Sequence, residues 1–138
     1  MQDKEIQNRF YVGEKATYSK TITEQDVLIF ADVTGDNNPV HTNKTYAEKS
    51  IFKKQIAHGG LVSALFSTVL GTKLPGEGTI YMEQDSRFVR PVYFGDTITA
   101  EVEVEEIIIE KNRLLLKTTA YNQNREPVVV GHALVKVN

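Results

Sequence analysis

The chain has 138 residues, with 16 Lys and Arg against 18 Asp and Glu, a formal net charge of −2. That length suits a single domain over residues 1–138, and a chain of this size buries roughly two-thirds of its unfolded surface. Hydrophobic residues at 41% exclude disorder of the whole chain, the near-neutral balance excludes nucleic acid as a main partner, and the lack of cysteine removes disulfides, thiol nucleophiles and zinc ribbons.

The first residues, Met-Gln-Asp-Lys-Glu, mix charges and carry no apolar run, so they do not read as a secretory signal. Together with the missing cysteines this fits a reducing, cytoplasmic setting. A strand is expected around Ala16–Ile22. Residues 24–34 read as a helix, with Thr23 as N-cap and Glu24 and Asp26 in the first turn, where the helix dipole favours acids. Val27, Phe30, Ala31 and Thr34 share one face of it. Gly35 ends it, and Asp36 to Pro39 is expected as loop. Asn43 caps a short second helix through Tyr46, Ala47 and Lys49.

Residues 55–72 contain no Asp, Glu, Lys or Arg. Their length alone would let them span a bilayer. Gln55, His58, Ser63, Ser67, Thr68 and Thr72 argue instead for a buried helix, starting near His58-Gly59 and stopping at Gly71. Leu61, Leu65 and Val69 form one stripe on it, and Val62, Phe66 and Leu70 a second.

Beyond Gly78 the apolar period becomes two. Ile98, Ala100, Val102 and Val104 alternate with Thr99, Glu101, Glu103 and Glu105, the pattern of a strand with one wet face. Arg113–Tyr121 and Val128–Val137 are also strand-like, and Thr79–Phe94 supplies another strand, bent at Pro91. The expected class is α+β: an antiparallel meander in the second half, curved around one long apolar helix and burying all its faces, with a helical segment before it. This is the logic of a hot-dog fold. A single wrapped sheet leaves open edges, which pairing in a dimer would cover.

The chemistry concentrates in Phe30-Ala31-Asp32-Val33-Thr34-Gly35-Asp36-Asn37-Asn38-Pro39-Val40-His41. On one continuous helix Asp36 and His41 would point about 140° apart, and on a strand they would stand roughly 17 Å apart. A bend between Gly35 and Pro39 lets them meet. A carboxylate and an imidazole so placed make a general acid–base pair, with ordinary pKa values of about 3.9 and 6.5. The plainer reading is a helix-ending turn with Asp36 in an Asx-turn.

The segment from Phe30 to Ala47, with its Thr-Gly-Asp-x-Asn-Pro-Val-His core, resembles the hydratase motif of the MaoC-like (R)-specific enoyl-CoA hydratases. The likeness continues through His58-Gly59, Ser67, Leu74-Pro75-Gly76, Phe88, Pro91-Val92 and Gly95-Asp96, most of the chain. Gly60 departs from it, since relatives commonly place a larger apolar residue there. The resemblance implies a hot-dog homodimer or dimer of dimers. It implies reversible addition of water to a trans-2-enoyl-CoA, giving the (R)-3-hydroxyacyl-CoA. Asp36 and His41 would be the dyad holding one water. No cofactor is implied beyond the coenzyme A of the substrate, and no nucleic acid, membrane or metal.

Hydration puts negative charge on the thioester oxygen. A helix N-terminus offers free N–H groups to it, so the Gly59 N–H is the expected oxyanion donor. Close packing of helix on sheet is the alternative for Gly59-Gly60. By resemblance Ser67 orients Asp36; otherwise it is a core serine bonded back to its own helix. Asn38 reads as a supporting residue, His58 as a capping or loop-fixing one, and His132 as structural. Leu65 and Leu70 line the acyl pocket or simply fill the core. Lys53, Lys54, Arg87 and Arg90 are the candidate cations for coenzyme A. His41, His58 and His132 lack the short spacings of a metal site. The competing functions are a hot-dog acyl-CoA thioesterase, directing water at the thioester carbonyl, and a non-catalytic acyl-CoA-binding protein.

Overall fold

The alternation beyond residue 97 forms the centre of a sheet. Strand β3 (Thr97–Ile108) buries Ile98, Ala100, Val102 and Val104 on one face, and β4 (Arg113–Tyr121) buries Leu114, Leu116, Thr118 and Ala120. These strands pair antiparallel with each other, and β4 pairs with β5 (Pro127–Lys136). Strand β1 (Lys15–Thr21) flanks β3, and β2 (Ile80–Phe88) flanks β5, giving the order β1-β3-β4-β5-β2. The computed structural model describes residues 2–138, with side chains from residue 5 onward.

Against the inner face lies α5 (Gly59–Thr72), which buries Val62, Leu65, Phe66, Val69 and Leu70. Each such side chain contributes roughly 1.5–3 kcal/mol when removed from water. The expected helix at 24–34 is α2 (Glu24–Thr34). Thr23 and Asp26 form a reciprocal capping box, and Gly35 takes the left-handed conformation at its end, φ 79°. Two short helices follow, α3 (Pro39–Thr42) and α4 (Lys44–Glu48), the latter capped by the Asn43 side chain. This α+β arrangement is the hot-dog fold. Among the described residues no helix is long and apolar enough to cross a membrane.

Three expectations need correction. Only β3, β4 and β5 form a meander: β1 already occupies the free side of β3, so β2 goes to the opposite edge, beside β5. The sheet does not cover every face of α5. Gly60, Ala64, Ser67 and Gly71 remain exposed, because five strands reach only the large apolar side chains. An unanticipated helix, α1 (Gln2–Arg9), precedes β1; the segment Ile6 to Phe10 offers only two buried apolar residues, too few for a readable period.

Gly131 on β5 pairs with Ser86 on β2, and a Cβ there would overlap the Asp85 backbone carbonyl. Gly131→Ala is therefore expected to destabilise the fold by about 1–3 kcal/mol, seen as a lower urea midpoint. An unchanged midpoint would mean that β2 is not held this closely to β5.

Candidate active site

Local hydrogen bonds fold the segment after α2. The Thr34 hydroxyl donates to the Phe30 carbonyl (2.7 Å) and accepts from the Asp36 N–H (3.2 Å). The Asn38 N–H donates to Asp36 Oδ1 (3.2 Å), an Asx-turn, and Asn38 Oδ1 in turn accepts from the Val40 N–H (3.3 Å). Asn38 thus caps α3, with Pro39 as its first residue. The loop ends one residue earlier than expected, and His41 stands on a single helical turn. Pro39 begins that turn because its fixed φ suits a helix start.

His41 is 8% exposed. Its Nδ1 donates to the Ile56 carbonyl at 2.7 Å, so Nε2 is the bare nitrogen. The Gln55 amide donates to the His41 carbonyl (2.9 Å), and the Ile56 N–H to the Val40 carbonyl (3.3 Å), tying residues 55–56 to α3. Burial pushes the His41 pKa below the usual 6.5. The bond to Ile56 opposes that shift, nearby His58 reinforces it, and Asp36 opposes it.

His58 is 2% exposed and precedes α5. It fixes the loop rather than capping with its side chain: Nε2 donates to the Asp36 backbone carbonyl at 3.0 Å, and no side-chain bond caps the helix. Its ring lies against His41, with centroids 4.0 Å apart and planes at 31°. One carboxylate oxygen of Asp36 and one ring nitrogen each of His41 and His58 all lie within 4.8 Å of one another. The fold therefore gathers three groups able to bind a metal, a juxtaposition that their spacing in the sequence conceals.

A cavity of about 470 Å³ opens beside this cluster, lined by His41, Ile56, Gly59, Gly60, Phe88 and Arg90 among others. Gly59 is the first residue of α5, and among the described residues neither its N–H nor that of Gly60 meets an acceptor. A Cβ on Gly59 would stand 2.8 Å from the Phe88 ring, which presses on this backbone.

Other expected site residues lie elsewhere. Ser67 is exposed two turns along α5 and makes no hydrogen bond to Asp36 within the chain, nor one back to its own helix. Leu65 and Leu70 belong to the core cluster and do not line the cavity. Arg87 alternates with Phe88 on β2 and lies with Lys117 and His132 on the far face of the sheet. Arg90 reaches the cavity while bonding the Pro127 carbonyl (2.8 Å) and lying 3.6 Å from Glu126. Lys54 sits over the Tyr93 ring at 4.3 Å, and Lys53 is exposed. His132 is half-exposed and pairs with Glu105 at 2.9 Å, outside the site.

Sequence reasoning missed Ile56, whose carbonyl sets the His41 tautomer, because a backbone acceptor leaves no mark in residue type. It also missed the position of Phe30, whose ring tilts against His58 at 4.8 Å.

The sequence model of the MaoC-like domain matches residues 7–125. The chain is 43% identical over 125 residues to an (R)-specific enoyl-CoA hydratase of Rhodospirillum rubrum, covering 91% of this chain and 86% of that protein. It superposes on the solved (R)-hydratase from Aeromonas caviae involved in PHA biosynthesis with a TM-score of 0.91 and 40% identity, covering 94% and 98% of the two chains. For R-hydratase PhaJ1 from Pseudomonas aeruginosa the TM-score is 0.88 and the identity 46%, covering 93% and 82%.

Proposed function

The chain belongs to the MaoC-like domain family, and from that premise we propose that it is an (R)-specific enoyl-CoA hydratase whose chemistry is done by Asp36 and His41. It is a hydro-lyase that adds water reversibly to a trans-2-enoyl-CoA to give the (R)-3-hydroxyacyl-CoA. The observation that carries the assignment of the site is a buried His41 whose Nε2 is left bare and whose ring has a nitrogen within 4.8 Å of an Asp36 carboxylate oxygen, beside the free N–H groups that open α5.

The steps follow from protonation states. With Nδ1–H given to Ile56, His41 accepts a proton only at Nε2. Water held between Nε2 and the Asp36 carboxylate loses a proton to Nε2 as its oxygen bonds to C3. The π electrons of the enoyl bond move toward the thioester oxygen, where the Gly59 N–H receives the charge. The imidazolium, stabilised by the Asp36 carboxylate, then returns the proton to C2. One water supplies both the hydroxyl and the C2 hydrogen, and the enzyme ends as it began.

The pH dependence follows with a definite sign. His41 works when neutral, and its pKa lies below 6.5 because it is buried. Hydration kcat/KM is expected to hold its plateau down to about pH 6.5 and to fall on the acid side of it. An acid limb at or above 6.5 would contradict a buried, neutral His41 as the base. Stability moves the same way: the unfolded chain takes up the proton first, so stability is lost as pH falls below about 6.5 toward the native value.

The acyl-CoA is the expected partner, and a second copy of the chain is the other. The outer edge of β2 is unpaired in the single chain, and Ile80, Tyr81 and Met82 stand exposed on it, beside the small-residue face of α5. Pairing of two such edges would bury both. Sedimentation velocity tests this, with a dimer or a multiple of one expected.

The function itself is tested with crotonyl-CoA. Loss of the enoyl absorbance without release of free coenzyme A, with the (R) alcohol as product, supports the hydratase. Released coenzyme A would establish a thioesterase, and binding without turnover a carrier.

A further inference from the structure

We propose that His58 is the positioning residue of this site: its ring fastens both the Asp36 loop and the His41 imidazole to the start of α5, so that the dyad and the Gly59 amide keep one geometry. The kinetic part of its test rests on the hydratase reading; the structural part does not.

The Asp36 loop, the His41 ring and the start of α5 all meet on this one side chain. Through Nε2 the ring bonds the Asp36 carbonyl, 22 positions earlier in the chain. Through its face it lies 4.0 Å from the His41 ring. Through its own backbone it is joined to Gly59, and its carbonyl accepts the Leu61 and Val62 N–H groups (3.1 and 3.3 Å), anchoring the first turn of α5. A carbonyl only accepts, so the proton of His58 sits on Nε2. The other nitrogen, Nδ1, is buried with no protein partner. A bare buried nitrogen opposes folding, and a phenylalanine or leucine would fill the same space without it. The Nε2–H bond to the loop is what the imidazole supplies and those side chains lack.

Phe30 completes the stack. Its ring tilts against His58, and it also lies over Gly60, where a Cβ would stand 3.2 Å from Phe30 Cζ. The glycine at this position leaves room for the ring that backs His58. The departure of Gly60 from the family resemblance thereby acquires a physical role: a larger residue there would press on Phe30, and through Phe30 on the dyad.

The stack also keeps His41 neutral. The groups facing the His41 ring are the Ile56 carbonyl, the Asp36 carboxylate and His58. The first two favour the imidazolium, whereas the stacked ring excludes water and disfavours a charge beside it.

Two substitutions separate the tether from the stack. His58→Phe keeps a flat ring and deletes the donor; His58→Gln keeps an N–H donor and deletes the ring. For His58→Phe, kcat for enoyl-CoA hydration is expected to fall about tenfold or more with KM within about twofold. His58→Gln is expected to recover part of that loss. In His58→Gln the His41 titration, followed by NMR without substrate, is expected to move up toward the ordinary histidine value, together with the acid limb of the rate profile. A merely structural role would lower the melting temperature and leave kcat per folded molecule and the His41 titration where they were. Wild-type kcat in His58→Phe, or an unshifted His41 in His58→Gln, would overturn the proposal. Should His58→Phe not fold, Phe30→Leu removes the backing ring instead, and an unshifted His41 titration there counts against the stack. Because the titration needs no substrate, it tests His58 even if the protein were to turn over no enoyl thioester.

Discussion

His41→Asn is expected to lower kcat for enoyl-CoA hydration by about a hundredfold or more while the protein stays folded. The asparagine amide can occupy the place of Nδ1–H and keep the bond to the Ile56 carbonyl, so the loop is held and only the basic Nε2 is lost. Asp36→Asn is the matching change on the other side. The Asn38 N–H can still donate to an oxygen at this position, and the Asx-turn survives without its charge. Without the carboxylate, an imidazolium forming at His41 has no counter-charge beside it, and a loss of the same order is expected. The two losses should not add, since both side chains act on one water. Circular dichroism and melting curves check the fold, and rates with crotonyl-CoA check the chemistry. Wild-type kcat in either variant would remove that residue from the mechanism.

The second large effect concerns the helix start. Gly59→Pro deletes the N–H assigned to the thioester oxygen, and proline is at home in the first position of a helix. The residue before a proline must be extended, and His58 already is, with φ −61° and ψ 136°. The expected cost is about 3 kcal/mol of transition-state stabilisation, on the order of a hundredfold in kcat. Gly59→Ala is the control. It keeps the N–H and adds a Cβ whose nearest neighbours are atoms of the Phe88 ring, on a residue that is itself 57% exposed. Equal losses in the two variants would attribute the effect to crowding against Phe88 and not to the lost donor.

What the sequence disclosed, and what it hid, divides along the reach of the interactions. Thr23, Asp26, Gly35 and Asn43 act within a few residues of themselves, so both ends of α2 and the start of α4 were legible from residue type and spacing, whereas the single turn α3, which begins inside the stretch read as loop, was not. The two apolar stripes of α5 and the alternation of β3 likewise record burial in their own periods. The placing of β2 beside β5 depends on which edge β1 has already taken, a competition between distant segments that no local pattern records. The site divides in the same way. The bend that brings Asp36 toward His41 is written in Gly35, Asn38 and Pro39. The Ile56 carbonyl that fixes the His41 tautomer, and the ring of His58 against it, arrive through the packing of α5 on the sheet. Leu65 and Leu70 show the converse. Their spacing marks them as buried, but whether a buried leucine faces a core or a ligand depends on what lies opposite, and here that is the core.

The proposed hydration requires an enoyl thioester seated between the start of α5 and the Asp36–His41 pair. A crystal structure of the Asp36→Asn protein with a bound trans-2-enoyl-CoA measures that placement directly. The thioester oxygen should lie about 2.7–3.1 Å from the Gly59 nitrogen, with C3 turned toward His41 Nε2. A thioester oxygen away from the first turn of α5, or the carbonyl carbon in place of C3 presented to His41, would contradict it.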